Sequence, residues 1–477
     1  MKKILFPVLC FFMIAPALPA QTDALAADAK GALEAENEQR FRVIRYGTDI
    51  EIAGLIRALR SEQIEEESPL DDELRALAEK TNNRAILSGV FGYFGERKKT
   101  GLEERAKKAV ADRDYEETQT VTGAIDYLGL VKARDCTGIF EDILKGEETR
   151  YLASAIRAMG RCSAENADSD STAAFLSSYY QDRESSDENR REIILALGET
   201  RSKNAAAFLA DIAENEEEKA PLRMASLESI AKIGDESGLG AALKTVSSKD
   251  PNVRSAAIGA LSPFDGQAVD DAIVEAFRDS YYRSRIAAAK AAAMRKITGA
   301  VPFLVFRAEN DEVPSVKEEA IKALGRIGND EARDALEKLF GEKKNSDRVR
   351  IAAAEMLLAQ NGGYTQRIVQ ALDEAKTANQ TALYNGILKS LGTAKLDNLQ
   401  DFARRLFAGG GVIEKSYAID ICSNNNYREL ASELQKLSDP KNGSLSRKST
   451  ALLEKWGLPL SPPENENEAE AETAPSS

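Results

Sequence analysis

The sequence predicts an all-α fold, an α-solenoid of about 12 stacked helix-turn-helix repeats of 31–38 residues each. Apolar residues recur at helical spacing through most of the chain. The same short pattern also returns at a nearly constant interval, and a period of about 20–50 residues is typical of stacked repeats. Strand-like alternation of polar and apolar residues is scarce.

One unit of the pattern is VKEEAIKALGRIGND, residues 316–330. Counting from Lys317, an apolar residue follows four positions later (Ile321), another follows seven positions later (Leu324), and the small Gly325 comes eighth. This spacing predicts an amphipathic helix with one apolar face. Because such a helix cannot bury that face alone, we expect it to pack against neighbouring copies of itself.

The pattern begins at thirteen residues, termed anchors below. The anchors are Ile52, Leu87, Val121, Leu152, Arg190, Arg223, Arg254, Arg285, Lys317, Arg350, Tyr384, Lys415 and Ser449. The copy at Ile52 fits least well, and the copies from 190 to 360 fit best. The eighth position is Gly, Ala or Ser in eleven copies, and we expect it to let the two paired helices of a repeat approach closely.

A turn and a second helix follow each first helix. In the copy anchored at Lys317 the turn is Gly328-Asn329-Asp330, and the second helix is predicted over 331–340. Gly and Asn tolerate the left-handed conformation that ends a helix, and we expect Asp330 to cap the next one. The acidic stretch 163–171 is expected to loop out between the two helices of one repeat.

The repeat, with its V-R-x-x-A-x-x-A-L-G-x-I-G-D style, resembles the short HEAT-like repeat of the phycobilisome-lyase type, over residues 48–458. The resemblance implies a solenoid, and HEAT-like repeats serve scaffolds, adaptors and a few enzymes. The Trp-Leu-Gly-Tyr pattern of tetratricopeptide repeats and the Thr-Pro-Leu-His turn of ankyrin repeats are absent from the sequence.

The regions outside the repeats have their own composition. Residues 1–20 combine two lysines, an apolar run and small residues, which predicts a secretory signal peptide cleaved after Ala20 or, alternatively, at the later site Ala24-Leu25-Ala26. Residues 21–47 are predicted to form a linker or a capping helix, 48–460 the solenoid, and 461–477 an acidic disordered tail. We therefore expect an exported protein, periplasmic or envelope-associated, with no membrane insertion of the mature chain.

Composition argues against several classes of function. The chain has 64 basic and 78 acidic residues, a net charge of −14 and no histidine. An acidic chain repels nucleic acid, and the absence of histidine removes the commonest general base and metal ligand. GGGVIEKS (409–416) resembles a phosphate-binding loop, but Glu414 stands where the last glycine should be. We therefore expect no enzyme, no cofactor and no metal site.

Three cysteines remain after the predicted cleavage. Cys422 occupies a core position of its repeat and is expected to be a buried small apolar residue. Cys136 and Cys162 lie in adjacent repeats, near predicted helix ends. They are either free thiols or a disulfide, which an oxidising compartment permits.

Two groups of residues are candidates for special roles. The first is a ladder of basic anchors, interpreted as a tie between neighbouring repeats or, alternatively, as a stripe that recognises an anionic ligand. Its members are Arg190, Arg223, Arg254, Arg285, Lys317 and Arg350. The second comprises Tyr179, Tyr180, Tyr281 and Tyr282, two pairs predicted to end the second helix of two repeats. They either fill the seam between repeats or, at Tyr180 and Tyr282, form exposed anchors for a partner.

These observations lead to one main hypothesis and two alternatives. The main hypothesis is an exported scaffold or adaptor that binds another, unknown protein in the cell envelope. One alternative is an enzyme related to bilin lyases, in which the solenoid would hold a chromophore. The other is a structural envelope component that assembles with itself.

Overall fold

The structure, a computed structural model, describes residues 35–62, 68–146, 149–164, 168–182, 186–360 and 363–460. The regular elements in these ranges are all helical. The chain divides into two compact units: one consists of Arg40–Asn398, and the other of Met1–Gln39 with Leu399–Ser477. The predicted signal peptide and acidic tail lie outside the described residues.

Helix α1 covers residues 35–46, within the segment predicted to be a linker or a capping helix. The larger unit continues with α2 (Asp49–Ser61), α3 (Asp71–Lys80), α4 (Arg84–Glu96), α5 (Glu103–Ala111), α6 (Thr118–Leu130), α7 (Thr137–Lys145), α8 (Leu152–Ser163), α9 (Ser169–Asp182), α10 (Asp187–Thr200), α11 (Lys203–Glu214), α12 (Ala220–Ile233), α13 (Leu239–Thr245), α14 (Pro251–Ala260), α15 (Gln267–Glu275), α16 (Tyr282–Arg295), α17 (Val301–Asn310), α18 (Pro314–Ile327), α19 (Asp330–Gly341), α20 (Asp347–Leu358), α21 (Thr365–Thr377) and α22 (Thr381–Thr393).

The smaller unit contains α23 (Gln400–Gly409), α24 (Val412–Asn425), α25 (Ala431–Leu437) and α26 (Ser444–Trp456). Short 3-10 turns occur at Thr149–Tyr151, Glu236–Gly238, Ala276–Arg278, Thr298–Ala300, Arg428–Leu430 and Pro440–Asn442.

All thirteen anchors lie on even-numbered helices, α2 to α26. In chain order, even- and odd-numbered helices alternate twelve times from α2/α3 to α24/α25 in the described residues, which agrees with the predicted solenoid of about 12 repeats.

Helices of the larger unit pack in two layers. Successive even-numbered helices, from α2 to α22, contact one another, and odd-numbered helices such as α9, α11 and α13 also lie side by side. Each even-numbered helix from α4 to α20 also packs on the odd-numbered helix that follows it or precedes it. The apolar positions of the pattern fill the space between the layers, where Ile321 and Leu324 are fully buried.

The turn after α18 shows how one repeat is built. Gly328 has a left-handed φ of +65°, and its N–H donates to the Leu324 carbonyl at 3.0 Å. Asn329, rather than Asp330 as expected, caps α19, because its side-chain oxygen accepts from the Ala332 N–H at 2.9 Å. Asp330 is already the first residue of the helix.

The small eighth position serves a different contact from the one expected. A Cβ added to Gly160 would lie 2.6 Å from the Ala196 carbonyl oxygen, and one added to Gly198 would lie 2.7 Å from the Ser229 side chain. Ala196 and Ser229 belong to the next even-numbered helix. The small residue therefore lets first helices of neighbouring repeats approach, and not the two helices of one repeat.

The connection between α8 and α9 and the lengths of the helices bear on two further predictions. The predicted loop 163–171 is shorter in the structure, because Ser163 is the last residue of α8 and Ser169 is the first residue of α9. Of the residues between these two helices, 165–167 lie outside the described residues. Within the described residues, no helix is both long enough and apolar enough to cross a membrane.

Candidate functional site

The six basic anchors all reach the preceding repeat. Each donates a hydrogen bond to a group at or just after the end of the preceding odd-numbered helix. The acceptors are the Tyr180 hydroxyl for Arg190 (2.6 Å) and the carbonyl oxygens of Ala213 for Arg223 (2.9 Å), Ser248 for Arg254 (3.0 Å), Asp279 for Arg285 (2.9 Å), Glu309 for Lys317 (2.7 Å) and Phe340 for Arg350 (2.9 Å). These contacts connect neighbouring repeats.

Three of these arginines also bind a carboxylate that follows the odd-numbered helix of their own repeat. Arg254 Nε and Nη2 lie 2.8 and 3.0 Å from the Asp279 oxygens. Arg285 holds Asp311 in the same two-pronged way, and Arg190 pairs with Glu218. Two parallel N–H to oxygen bonds fix the geometry as well as the charge.

The buried carboxylate Asp311 is kept ionised by these contacts. Burial alone would raise the pKa of Asp311, but hydrogen bonds from Arg285 and from the Val313 amide hold the pKa below its ordinary value. Arg223, Arg285 and Arg350 are themselves buried. The guanidinium groups of these three arginines are therefore engaged inside the protein, which favours the tie between repeats over a stripe that recognises an anionic ligand.

The two tyrosine pairs do not occupy equivalent places, contrary to expectation. Tyr179 and Tyr180 lie near the end of α9, whereas Tyr281 precedes α16 and Tyr282 is its first residue. The positions differ because the acidic stretch 163–171 lengthens the earlier repeat and moves its second helix along the sequence.

The four tyrosines are partly or fully covered by the fold. Tyr179 is buried, and the other three are half-buried. The Tyr180 hydroxyl accepts from Arg190, and the Tyr281 hydroxyl donates to Asn252 Oδ1 at 2.7 Å. The Tyr282 hydroxyl accepts from Arg283 Nε at 3.2 Å. These bonds agree better with a role in the seams between repeats, while binding to a partner stays a hypothesis.

Within the described residues, Cys136, Cys162 and Cys422 are all buried, and none of the three belongs to a disulfide. A hydrogen bond from the Cys162 thiol lowers the pKa of Cys136, although burial opposes this shift. The same bond, together with burial, raises the pKa of Cys162. Cys136 and Cys162 belong to two adjacent repeats, α6/α7 and α8/α9, and their thiols donate to the carbonyls of Arg134 and Leu128, each at 3.3 Å. Burial raises the pKa of Cys422 to about 12, as expected for a core thiol.

A surface feature that sequence reasoning did not identify lies between two successive second helices. It is a groove of about 300 Å³, termed the Arg–Phe groove and lined by Arg278, Pro302, Phe303, Phe306 and Arg307. Arg278 comes from the 3-10 turn after α15, and the other four residues come from α17. The two helical segments are joined by the buried ring of Phe277, which stacks on Phe303 with centroids 6.1 Å apart.

Each arginine of the groove lies over an aromatic ring. The Arg278 guanidinium carbon is 5.2 Å from the centre of the Phe303 ring, and that of Arg307 is 5.3 Å from the centre of Phe306. Such cation–π contacts contribute about 0.5–1 kcal/mol each at exposed sites. Phe306 is nevertheless 55% exposed, and Pro302 is exposed as well. The groove thus offers apolar surface beside positive charge.

The groove belongs to a basic segment of an acidic chain. Residues 276–308 contain seven basic residues and one acidic residue, a net charge of +6, whereas the whole chain carries −14. A count of charge along the sequence would have revealed this segment. The exposure of Phe306 could not have been found in this way, because it depends on how α15 and α17 pack.

Neither a metal site nor a phosphate-binding loop is found among the described residues. No group of three or more Cys, Asp or Glu side chains there is arranged to hold a metal ion. Gly409 is the last residue of α23, and Gly410 and Gly411 connect α23 to α24, so a helix stands where a phosphate-binding loop requires a strand. This segment is a turn between helices, as the sequence indicated.

Comparisons with known proteins agree with this architecture. The family model described as "Spirochaete HEAT repeat protein" matches residues 44–452. It supports the HEAT-like resemblance, but the narrower phycobilisome-lyase type is not confirmed. No curated protein matches the chain.

Two solved structures illustrate the likeness. The crystal structure of Kap121p is 13% identical with a TM-score of 0.42, and the match covers 91% of this chain and 56% of that one. The X-ray structure of YibA of E. coli is 14% identical with a TM-score of 0.37, over 62% of this chain and 99% of that one. This chain therefore spans little more than half the length of Kap121p, and the likeness concerns the fold alone.

Proposed function

We propose, from the fact that this chain belongs to the Spirochaete HEAT repeat protein family, that it is an exported adaptor or scaffold that binds another protein in the cell envelope. HEAT solenoids commonly mediate protein–protein interaction. The proposed mechanism is recognition by surface residues of successive repeats, without catalysis and without a cofactor.

The observation that carries the proposal is the Arg–Phe groove. Aromatic residues and arginine are enriched where proteins bind one another, and exposed apolar surface rimmed by polar residues marks such sites. The basic anchors, by contrast, use their hydrogen bonds to connect neighbouring repeats, which leaves them little capacity to bind a partner. The groove combines an exposed phenylalanine with two arginines that are already placed over rings.

Affinity capture from envelope extracts, followed by mass spectrometry, tests this function. A stoichiometric protein partner that is lost on changing Phe306→Ala supports an adaptor. The matched control is Ile413→Ala, because Ile413 is also an exposed apolar residue, at 60% against 55% for Phe306. Recovery of the protein alone, or with a coloured bound molecule instead of a partner, would contradict the adaptor.

Export is supported by the composition of residues 1–20, which have the charged start, apolar run and small residues of a signal peptide. Cell fractionation with intact-mass measurement tests it. We expect an envelope fraction in which the chain begins at Gln21. A full-length chain found with cytosolic markers would exclude export while leaving protein binding to be judged by the capture experiment.

The tyrosine hypothesis has its own test with the same partner. The double change Tyr180→Ala with Tyr282→Ala removes the two rings once suggested as anchors. If the folded double variant keeps the dissociation constant of the parent protein, these tyrosines have no part in binding.

A further inference from the structure

The chemistry of the Arg–Phe groove also indicates what kind of partner it fits. We propose that the groove binds an acidic segment of a partner protein that carries at least one large apolar side chain. Carboxylates of that segment would pair with Arg278 and Arg307, and its apolar side chain would cover Phe306 and Pro302. The inference rests on the proposed function, because it specifies the partner of the adaptor.

The first argument is the state of Arg278. Its ion-pair partner is Glu275, three residues earlier on the same surface, and the side chains of Arg278 and Glu275 are 60% and 67% exposed. An exposed pair of this kind is weak, because water competes for both charges. A carboxylate brought by a partner can therefore replace Glu275, or join it, at small cost.

The second argument is the state of Arg307. Its Nη1 lies 3.5 Å from Asp311 Oδ2, which is a long contact. Arg285 already holds both oxygens of Asp311, at 2.7 and 2.8 Å. The Asp311 charge is thus largely committed to Arg285, and Arg307 retains the capacity to bind a second carboxylate.

The third argument is that both guanidinium groups already lie over aromatic rings before a partner arrives. Arginine stacked on a ring loses less conformational freedom on binding than a free side chain, and its planar fork suits a carboxylate. The exposed apolar surface of Phe306 is also more favourable when an apolar side chain packs on it, and a carboxylate alone cannot supply this contact. The combination favours an acidic segment that includes Leu, Ile or Phe.

A nucleic acid fits these observations less well. The chain as a whole carries −14, and Glu309, Asp311 and Glu312 follow Arg307 directly in the sequence. A long polyanion would meet this repulsion, whereas a short peptide segment can place its carboxylates beside the two arginines. Binding of an oligonucleotide is accordingly an outcome that the test must be able to detect.

Fluorescence anisotropy with defined probes tests the proposal on the purified protein. The main probe is a labelled peptide Glu-Glu-Leu-Glu-Glu-Phe-Glu-Glu, and its counterpart has Gln in place of every Glu. A third probe is a peptide of residues 461–477, which is acidic but lacks any large apolar side chain. A single-stranded oligonucleotide of equal charge is the fourth.

The variant that removes the charge is Arg278→Gln with Arg307→Gln. Its matched control is Arg404→Gln, since Arg404 is 55% exposed and also pairs with an acidic residue three positions earlier, Asp401. We expect the Glu probe to bind at least about tenfold more tightly than the Gln probe, and the double variant to lose about tenfold in affinity. Added salt should weaken binding of the Glu probe, and Arg404→Gln should not.

Several results would overturn the proposal. One is equal affinity for the Glu and Gln probes, and another is an equal loss of affinity for the Glu probe in the double variant and in Arg404→Gln. The proposal would also fail if the oligonucleotide or the 461–477 peptide bound more tightly than the Glu probe, or if the Glu probe showed no saturable binding up to about 1 mM. Circular dichroism of each variant shows whether the helices remain folded.

The capture and anisotropy experiments together distinguish failure of this inference from failure of the proposed function. A captured envelope partner that binds the double variant as well as the parent protein would refute the groove chemistry and leave the adaptor intact. A groove that binds the Glu probe as expected, in a protein that captures no partner, would refute the adaptor role.

Discussion

Arg285 and Asp311 form a two-pronged ion pair in which Nε and Nη2 donate to the two carboxylate oxygens at 2.7 and 2.8 Å. The Asp311 side chain is completely buried, and Arg285 also donates to the Asp279 carbonyl of the preceding repeat. One arginine thus joins the repeat before it to the carboxylate that ends its own repeat.

This pair predicts a pH-dependent contribution to stability. Because the pKa of Asp311 is lowered in the folded protein, its contribution is full above the ordinary aspartate pKa of about 4 and is lost as pH falls through the lower folded value. Asp311→Asn should therefore cost about 3 kcal/mol at neutral pH, since it leaves Arg285 buried without its counter-charge. Urea unfolding at pH 7 and at pH 3 measures this.

The control for that experiment is Asp330→Asn, which alters an exposed ion pair with Arg333. We expect little change at either pH. An Asp311→Asn variant that lost as much stability at pH 3 as at pH 7 would contradict the role assigned to this carboxylate.

A second prediction concerns the close approach of neighbouring first helices. Gly160→Ala places a Cβ against the backbone of Ala196, where no side-chain movement can relieve the contact, and should destabilise by about 1–3 kcal/mol. Gly259→Ala meets no atom within 4 Å on α14 and should stabilise by about 0.5 kcal/mol. Thermal unfolding of the two variants compares them, and equal effects would refute the packing role of the eighth position.

A third prediction follows from the stacking of repeats. Leu324 is fully buried, so Leu324→Asp places an unpaired charge in the core of one repeat. Because each repeat contacts mainly its neighbours, hydrogen exchange should accelerate first in α16 to α20. Uniform acceleration throughout the chain, or none, would be inconsistent with a solenoid in which damage stays local.

A fourth prediction links the cysteines to the compartment. Cys136 and Cys162 lie in adjacent repeats, and each thiol shifts the pKa of the other. Maturation in an oxidising compartment should therefore join them and leave Cys422 as the one thiol open to alkylation after denaturation. Intact-mass analysis with alkylation of protein taken from the envelope reads this directly. Three alkylated cysteines in that sample would rule the disulfide out.

The first helices could be predicted from the sequence because their determinants are local. Spacing of four, seven and eight residues places Ile321, Leu324 and Gly325 on one helix without any knowledge of its neighbours. Which helix faces Gly325 was not predictable, because the spacing within a helix does not specify its partner. The structure places Met356, of the next first helix, against it.

The candidate site was harder to predict for the same reason. Arg278 and Phe303 lie 25 positions apart in sequence and meet because successive second helices pack side by side. Counting from an anchor predicts equivalent places for the two tyrosine pairs, but this count does not allow for differences in repeat length. The interval from Leu152 to the next anchor is longer than the interval from Arg254 to the next anchor, so the same count ends within α9 in one repeat and at the start of α16 in the other.

The most direct test of the central claim, that the Arg–Phe groove holds a protein partner, is photo-crosslinking in living cells. The photoreactive residue p-benzoylphenylalanine replaces Phe306 in one strain and Ile413, comparably exposed, in another. We expect illumination to join the Phe306-substituted protein to one other protein, with little product from the Ile413-substituted protein. Equal products at both positions, or none at Phe306, would contradict the claim.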